Sequence, residues 1–393
     1  MVLNITLMER LASEYKKAME DKTLLRHERR ALLHQIMDHL VDSLRGGQHF
    51  ESELSSLLTL IDGASDADEL RRHHELALSG IKNYFLEEQT AMDVHDLLAM
   101  VRDRIIIRVI ALVEQAMGKD GFPRVTFPCC WCRLNWGGRK EEIFSSLNRT
   151  MLVCGALKEQ ESEPQEITEY YVEFVRRLEV TLEQAGIEGT ILIGTVEEWK
   201  GRISAFLDSA SGDGDFDATE LVDARPVQGE SGLLETLLHH LYSELERNSR
   251  ALDRLVNRAA SMPIALNSFG KLKIETSHEQ RGKLNVQNLA LMPLAVSVRT
   301  LSLARKVREK ETIKRVKELS TMGVMTGEMA RNINEAFLTL TGLCIQNEIS
   351  TGDMKQPCFI NLHTLSNNNL RLLQKAMKTI KTFQKSLRRM AGF

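Results

Sequence analysis

The spacing of apolar residues changes twice along this chain, and those two changes bound what it can fold into. Up to about residue 120 the spacing is helical. Leu3, Leu7, Leu11 and Tyr15 set it, followed by Leu32, Leu33, Ile36, Leu40 and Leu44 before Gly46 and Gly47 break it. Asp66 with Glu69, and Thr90 with Asp93, have the spacing of helix N-terminal caps. The second opens a long helix whose apolar face runs from Val94 through Leu98, Val101 and Ile105 to Val113. Between 121 and 230 the texture is different. Short β-type runs at 129–134, 150–154, 190–193 and 220–224 alternate with helical ones, including a helix over 166–185 closed by Gly186. From Ser231 helices resume. One long helix carries Leu233 to Val256 and stops before Pro263, and others are expected near 288–309, 326–349 and 364–391. The pattern predicts a mostly helical α+β protein in three parts: a helical bundle over 1–120, an α/β domain over 121–230 and a helical domain over 231–393.

Composition removes several classes. No apolar run is long and uncharged enough for a membrane span. Glu9, Glu14, Lys16 and Lys17 interrupt the first residues, against a signal peptide. Six cysteines, three of them crowded at 129, 130 and 132, do not read as a disulfide framework in a chain of 393 residues, so a cytoplasmic setting is expected. Cys129, Cys130, Cys132 and Cys154 lack the C-x-x-C spacing of zinc sites and are expected as buried free thiols. The net charge of −3 hides an asymmetry: from Pro263 onward stand 21 Lys and Arg against nine Asp and Glu, leaving 30 against 45 before it. After Asp353 there is no acidic residue. The C-terminal part is a basic lobe on an acidic body.

The segment Asn135–Arg149 (NWGGRKEEIFSSLNR) lies between the apolar runs Cys129–Leu134 and Thr150–Cys154. Its order of strand, Gly-containing turn, short helix and strand resembles the start of a DNA polymerase β-type nucleotidyltransferase. More closely it resembles the bacterial putative nucleotidyltransferases often attached to CBS or cyclic-nucleotide-binding domains and related to the protein-PII uridylyltransferases. Their pattern, roughly G-S-x-G-R-x-E-Q-x-x-x-T-D-x-D, matches at Gly138, Arg139 and Glu141. It places Asn135 and Trp136 at the Gly-Ser position, and Leu147 and Arg149 at the two aspartates. Leu221–Glu230 resembles the downstream D-x-R-P-V-x-G-D stretch, with Asp223 as third carboxylate and Arg225 on the same strand face. Pro263–Phe269, His278–Gln287, Met292–Leu294 and Arg299 resemble the helical domain that follows. The likeness runs from about residue 55 to the end and implies a polymerase β-like α/β core flanked by N-terminal and C-terminal helical domains.

Nucleotidyl transfer in that family needs carboxylates because two Mg²⁺ ions bridge the triphosphate and the attacking oxygen. Aspartates at i and i+2 of a strand share a face and both reach the metal. Leucine and arginine at 147 and 149 cannot, and Trp136 fills the space where phosphates approach. The leading expectation is therefore a catalytically degenerate, regulatory protein that binds a nucleotide or a protein partner, with no cofactor and no metal. Asn135, Trp136, Gly138, Arg139, Glu141, Leu147, Arg149, Asp223 and Arg225 would line the vestigial cleft, Asp223 in an ion pair with Arg225 or Arg149.

Two alternatives stand beside it. An active nucleotidyltransferase, transferring uridylyl or adenylyl groups onto a regulatory protein, needs Mg²⁺ held by other acids, such as Glu141, Glu142 and Asp223. Nucleic-acid binding would use the basic lobe. There Arg371, Lys375, Lys378, Lys385, Arg388 and Arg389 recur near helical spacing opposite Leu373, Met377, Ile380 and Leu387, and with Arg299 they form the candidate anion- or partner-binding set. Aromatic residues hardly interleave with them, which argues against base stacking.

Overall fold

The computed structural model describes residues 50, 52–88, 90–122, 128–155, 164–209, 216–267, 270–276, 280–352 and 358–393. The periodicities at 3–15 and 32–44 lie outside the described residues, as do parts of the 209–215, 263–269 and 278–287 segments. The described chain is α+β and mostly helical.

Three helices come first: α1 over 52–63, α2 over Ala67–Glu88 and α3 over Ala91–Lys119. Asp66 caps α2, its carboxylate accepting the Glu69 amide at 2.8 Å, while Glu69 reaches back to the Ser65 amide at 2.7 Å. Thr90 does not cap α3 as its spacing suggests. Its hydroxyl donates to the Asp93 carboxylate, which also accepts from the Tyr84 hydroxyl at 3.1 Å, so a buried acid takes the proton donor the cap would have kept as an acceptor.

The sheet is built from β1 (Cys129–Arg133), β2 (Asn148–Cys154), β3 (Gly189–Thr195) and β4 (Arg225–Gly229), in the order β3-β2-β1-β4. A five-residue helix, α4 (Asn135–Arg139), joins β1 to β2, and the two strands pair antiparallel with Trp131 opposite Leu152. β3 lies parallel to β2, so the chain crosses over through α5 (Pro164–Gln184). Gly186, at φ +80°, ends α5: its amide and that of Ile187 return to Glu183 and Leu182. α6 (Val196–Asp208) opens with a capping box between Thr195 and Glu198 and delivers Trp199 under the sheet, where its indole donates to the Leu152 carbonyl at 3.2 Å. Alternation then sorts the strands into two cores. Trp131, Leu152 and Cys154 join the larger one with α2, α3 and α5, and Cys130, Cys132, Met151 and Val153 join Trp199 in the smaller.

The run at 220–224 is not a strand. Asp217 accepts the Thr219 amide at 2.9 Å and starts a 3₁₀ turn, Ala218–Val222; the amides of Asp223 and Ala224 return to Glu220 and Leu221 at 3.0 Å. Those closures consume the backbone groups a ladder would need, and β4 begins only at Arg225. Asp223 therefore sits in a turn and shares no strand face with Arg225.

The expected long helix after Ser231 is two, α7 (Ser231–Arg247) and α8 (Ser249–Ser261). Asn248 breaks it at φ −122°, ψ 75°, and its side chain caps the Ala251 amide at 3.0 Å. A π-helical turn, Gln287–Leu291, leads into α9 (Met292–Ala304), followed by α10 (Thr312–Thr321), α11 (Gly327–Thr351) and α12 (Asn367–Ala391). α10 and a small ribbon, β5 (Lys283–Asn285) against β6 (Phe359–Asn361), were not anticipated from the sequence. The C-terminal helices complete the larger core. Cys129, Cys130, Cys132 and Cys154 are free as expected, but the expectation of no disulfide framework meets one exception: Cys344 on α11 is joined to Cys358, 5.7 Å away between Cα atoms. Pairing follows tertiary proximity, which cysteine spacing does not report.

Candidate functional site

The site grows from the turn after β1. Leu134 donates its amide to the Arg149 carbonyl at 2.8 Å, which sets the two strand ends side by side. The chain then turns sharply: Asn135 and Lys140 bracket α4 at φ 49° and 54°, a left-handed region in which Asn is among the few tolerated side chains. Gly138 is demanded by contact. A Cβ there would lie 2.3 Å from the Asp223 carbonyl oxygen and 2.7 Å from that of Arg133. This absence of a side chain lets the turn press against the segment that carries Asp223.

Asp223 is fully buried, and both its carboxylate oxygens are occupied. Arg139 reaches one at 2.5 Å and Arg299 the same one at 3.0 Å, while Arg315 holds the other at 2.6 Å. Burial alone would raise the pKa of this carboxyl; the charges of Arg139, Arg315 and Arg299 outweigh it and hold the group well below the usual range. Arg139 also meets Glu141 at 2.6 Å and lies 4.5 Å above the Trp136 ring. Arg299 continues to the Asn135 side chain at 3.1 Å and approaches Asp217 at 3.9 Å. Three guanidiniums thus face Asp223, Glu141 and Asp217, and Asp217 is held by Arg258 as well, so each acid of the cluster has a guanidinium partner.

Glu141 makes a second connection. Its carboxylate accepts both the backbone amide of Thr312 and, at 3.0 Å, the Thr312 hydroxyl, capping α10 from a distant part of the chain. Glu142 points the other way, into Arg133 at 2.5 and 2.7 Å and Arg102 at 2.8 Å. Burial opposes its ionisation, but Arg133 and Arg102 bring it down to about 2. Asp103 completes that layer by taking Arg225 at 2.8 and 3.0 Å, and Arg225 also donates to the Gly137 carbonyl at 3.0 Å.

The two positions that the sequence resemblance sets at the aspartates, Leu147 and Arg149, separate. Leu147 is 64% exposed in the loop before β2. Arg149, the second residue of β2, meets Glu220 at 2.8 Å, and Glu220 accepts from Asn135 at 3.0 Å. Arg139, Glu141, Asn135 and Asp223 therefore converge with Arg299. Arg225 stands behind the turn on Asp103, and Leu147 faces solvent. The ion-pair partners of Asp223 are Arg139, Arg299 and Arg315, neither Arg225 nor Arg149. Arg299, expected on an anion-binding surface, is buried in the same cluster. Glu141, Glu142 and Asp223 do not share a site, because Glu142 faces the opposite layer. Among the described residues no group of three or more His, Cys, Asp or Glu is arranged to hold a metal ion. A hard divalent cation needs free oxygen ligands, and each acid here is already held by guanidinium or amide donors, so the residues present do not fit a pair of Mg²⁺. Nor do the cysteines form a chelate: the sulfurs of Cys130 and Cys132 lie 3.4 Å apart in the smaller core, while Cys154 faces the larger.

Sequence reasoning missed Arg315, Glu220, Arg133 and Glu348. Glu348 on α11 accepts the amides of Phe144 and Ser145, each at 3.1 Å. For Arg315 a signal existed, since Ile313, Val316 and Leu319 mark an amphipathic helix. Nothing in that period says that the charged residue between them points inward.

Residues 78–213 match the family model described as "Putative nucleotidyltransferase DUF294", and residues 249–391 match the one described as "Putative nucleotidyltransferase substrate binding domain". No curated protein matches the chain.

Proposed function

This chain belongs to the family of putative nucleotidyltransferases defined by those two matched domains, and from that premise we propose that it is a non-catalytic member acting by binding. Its role is regulatory: the cleft rim at Asn135, Arg149 and Glu220 and the retained substrate-binding region hold a nucleotide or protein partner without transferring a group to it. The observation that carries this reading is the condition of Asp223. The resemblance sets it at a metal position of the family, and both its oxygens are taken by buried guanidiniums. A Mg²⁺ ion would have to displace at least one of three buried arginines. Arg149 at the second aspartate position adds a positive charge where the cation would sit.

The test is transfer of labelled ATP, UTP or GTP in Mg²⁺ or Mn²⁺, paired with calorimetric titration of the same nucleotides with and without the metal. No labelled product forms, and any heat of binding is the same in EDTA as in Mg²⁺. Transfer by the wild-type protein that disappears in a folded Asp223→Asn variant overturns the proposal, as does binding heat that appears only with the metal.

A further inference from the structure

We propose that the exposed face of α12 binds the phosphodiester backbone of double-stranded nucleic acid without reading its sequence. This surface is independent of the cleft. Arg371, Lys375, Lys378, Lys385 and Arg389 follow one another at intervals of three, four or seven residues, so they form a single row along the helix, with Lys381 and Arg388 beside it. At the rise of an α-helix the row is ~27 Å long. All but Lys381 are exposed. The opposite face of α12 is fully committed to the core: Leu373, Met377, Ile380, Phe383 and Leu387 have no exposed surface. The helix therefore cannot rotate to hide its charges or insert an apolar face elsewhere. α12 carries no acid of its own, and none occurs anywhere after Asp353.

Among the described residues two of the seven cations have acidic partners, Lys375 with Glu335 at 2.5 Å and Arg388 with Asp253 at 3.2 Å. Both are solvent-facing pairs whose contribution is small, so a polyanion can compete for them. The chemistry of the row chooses between kinds of polyanion. Cores of protein interfaces are poor in lysine and anchored by aromatic or aliphatic side chains. This row is mostly lysine, and the only aromatic residue of the helix, Phe383, is buried away from it. With no exposed ring within the row for bases to stack on, and Phe393 beyond its end, the contact is with phosphates. A straight row of point charges spanning several phosphates of one strand suits that contact.

The experiment is fluorescence anisotropy of the full chain with a labelled duplex of about 20 base pairs, between 50 and 200 mM salt. With about five phosphates neutralised, log K against log salt should fall with a slope of about −4.5. The triple variant Lys378→Gln/Lys385→Gln/Arg389→Gln should bind at least tenfold more weakly, with a shallower slope and an unchanged thermal melt. Arg176→Gln, an exposed cation on α5, should bind like the wild type. Absence of binding at 50 mM salt overturns the proposal, as does equal affinity of the triple variant. Competition by polyglutamate as effective as unlabelled duplex also overturns it, by assigning the face to an acidic polypeptide instead.

Discussion

Glu141 and Thr312 stand 171 residues apart, yet the carboxylate of the first holds the amide and hydroxyl of the second. The favour is returned a few residues on: Glu348 of α11 holds the amides of Phe144 and Ser145. The loop that follows the glycine turn thus gives one carboxylate to the C-terminal helices and receives another from them. In both directions the acid satisfies amides that a helix start or a tight turn leaves open. Glu141 is a structural joint, and the consequences are measurable.

Asp223→Ala should cost about 3–5 kcal/mol, because it strands three buried guanidiniums without their shared counter-charge. Arg149→Gln, at a pair that is partly open to solvent, should cost about 1 kcal/mol or less. Urea unfolding of both variants checks this; equal losses would mean that Asp223 is not the shared counter-charge of three buried guanidiniums.

Gly138→Ala should be strongly destabilising, about 3 kcal/mol, since the new carbon would meet two backbone carbonyls that cannot swing aside. Gly342→Ala should do the opposite. It lies inside α11 with no atom near the added carbon, so helix propensity stabilises the variant by about 1 kcal/mol. Thermal melts of the pair should move in opposite directions.

Stability should depend on pH through Glu348. Burial pushes its carboxyl up from 4.5 to about 7, against the pull of the Ser145 and Phe144 hydrogen bonds and the Arg102 charge. The native state therefore keeps a proton that the unfolded chain releases, and this stabilisation is complete below pH 4.5 and lost as pH rises through about 7. Its size is about 3 kcal/mol. Two buried histidines work in the opposite sense. Burial pushes His74 down to about 4 and lowers His95, so their contribution is present above pH 6.5 and lost on acidification. In Glu348→Gln only the histidine trend survives, and unfolding free energy should climb from pH 5 to 7 more steeply than in the wild type. Parallel pH profiles would contradict the assignment.

Reduction of Cys344–Cys358 should lower stability by about 3 kcal/mol, the amount expected for a loop of this length. Melts with and without reductant measure it, and the double variant Cys344→Ser/Cys358→Ser should show no difference between the two conditions.

Much of the architecture was legible in the residue order. The helix over Pro164–Gln184 and its stop at Gly186, three of the four sheet strands and the glycine turn all follow from local spacing, because each is decided by neighbours within a few residues. The turn around Asp223 was misread as a strand because its apolar content suited one, while the deciding hydrogen bond came from the side chain of Asp217. Asn248 was overlooked for a similar reason: an Asn can continue a helix or cap a new one, and apolar spacing on either side does not tell which.

By itself the sequence determined that this protein alternates helix and sheet in a fixed order, and that leucine and arginine stand at 147 and 149, where the resemblance to the family sets aspartates. Side-chain chemistry suffices for that, since neither residue can ligate a divalent cation wherever it lies. Only the tertiary structure decided what became of the remaining acid. The partners of Asp223 come from 76 to 92 positions away, and attraction between charges leaves no periodic trace along a chain. Which arginine meets which carboxylate was settled by the packing of α9 and α10 against the turn, where burial removes water and leaves each charge dependent on the nearest opposite one.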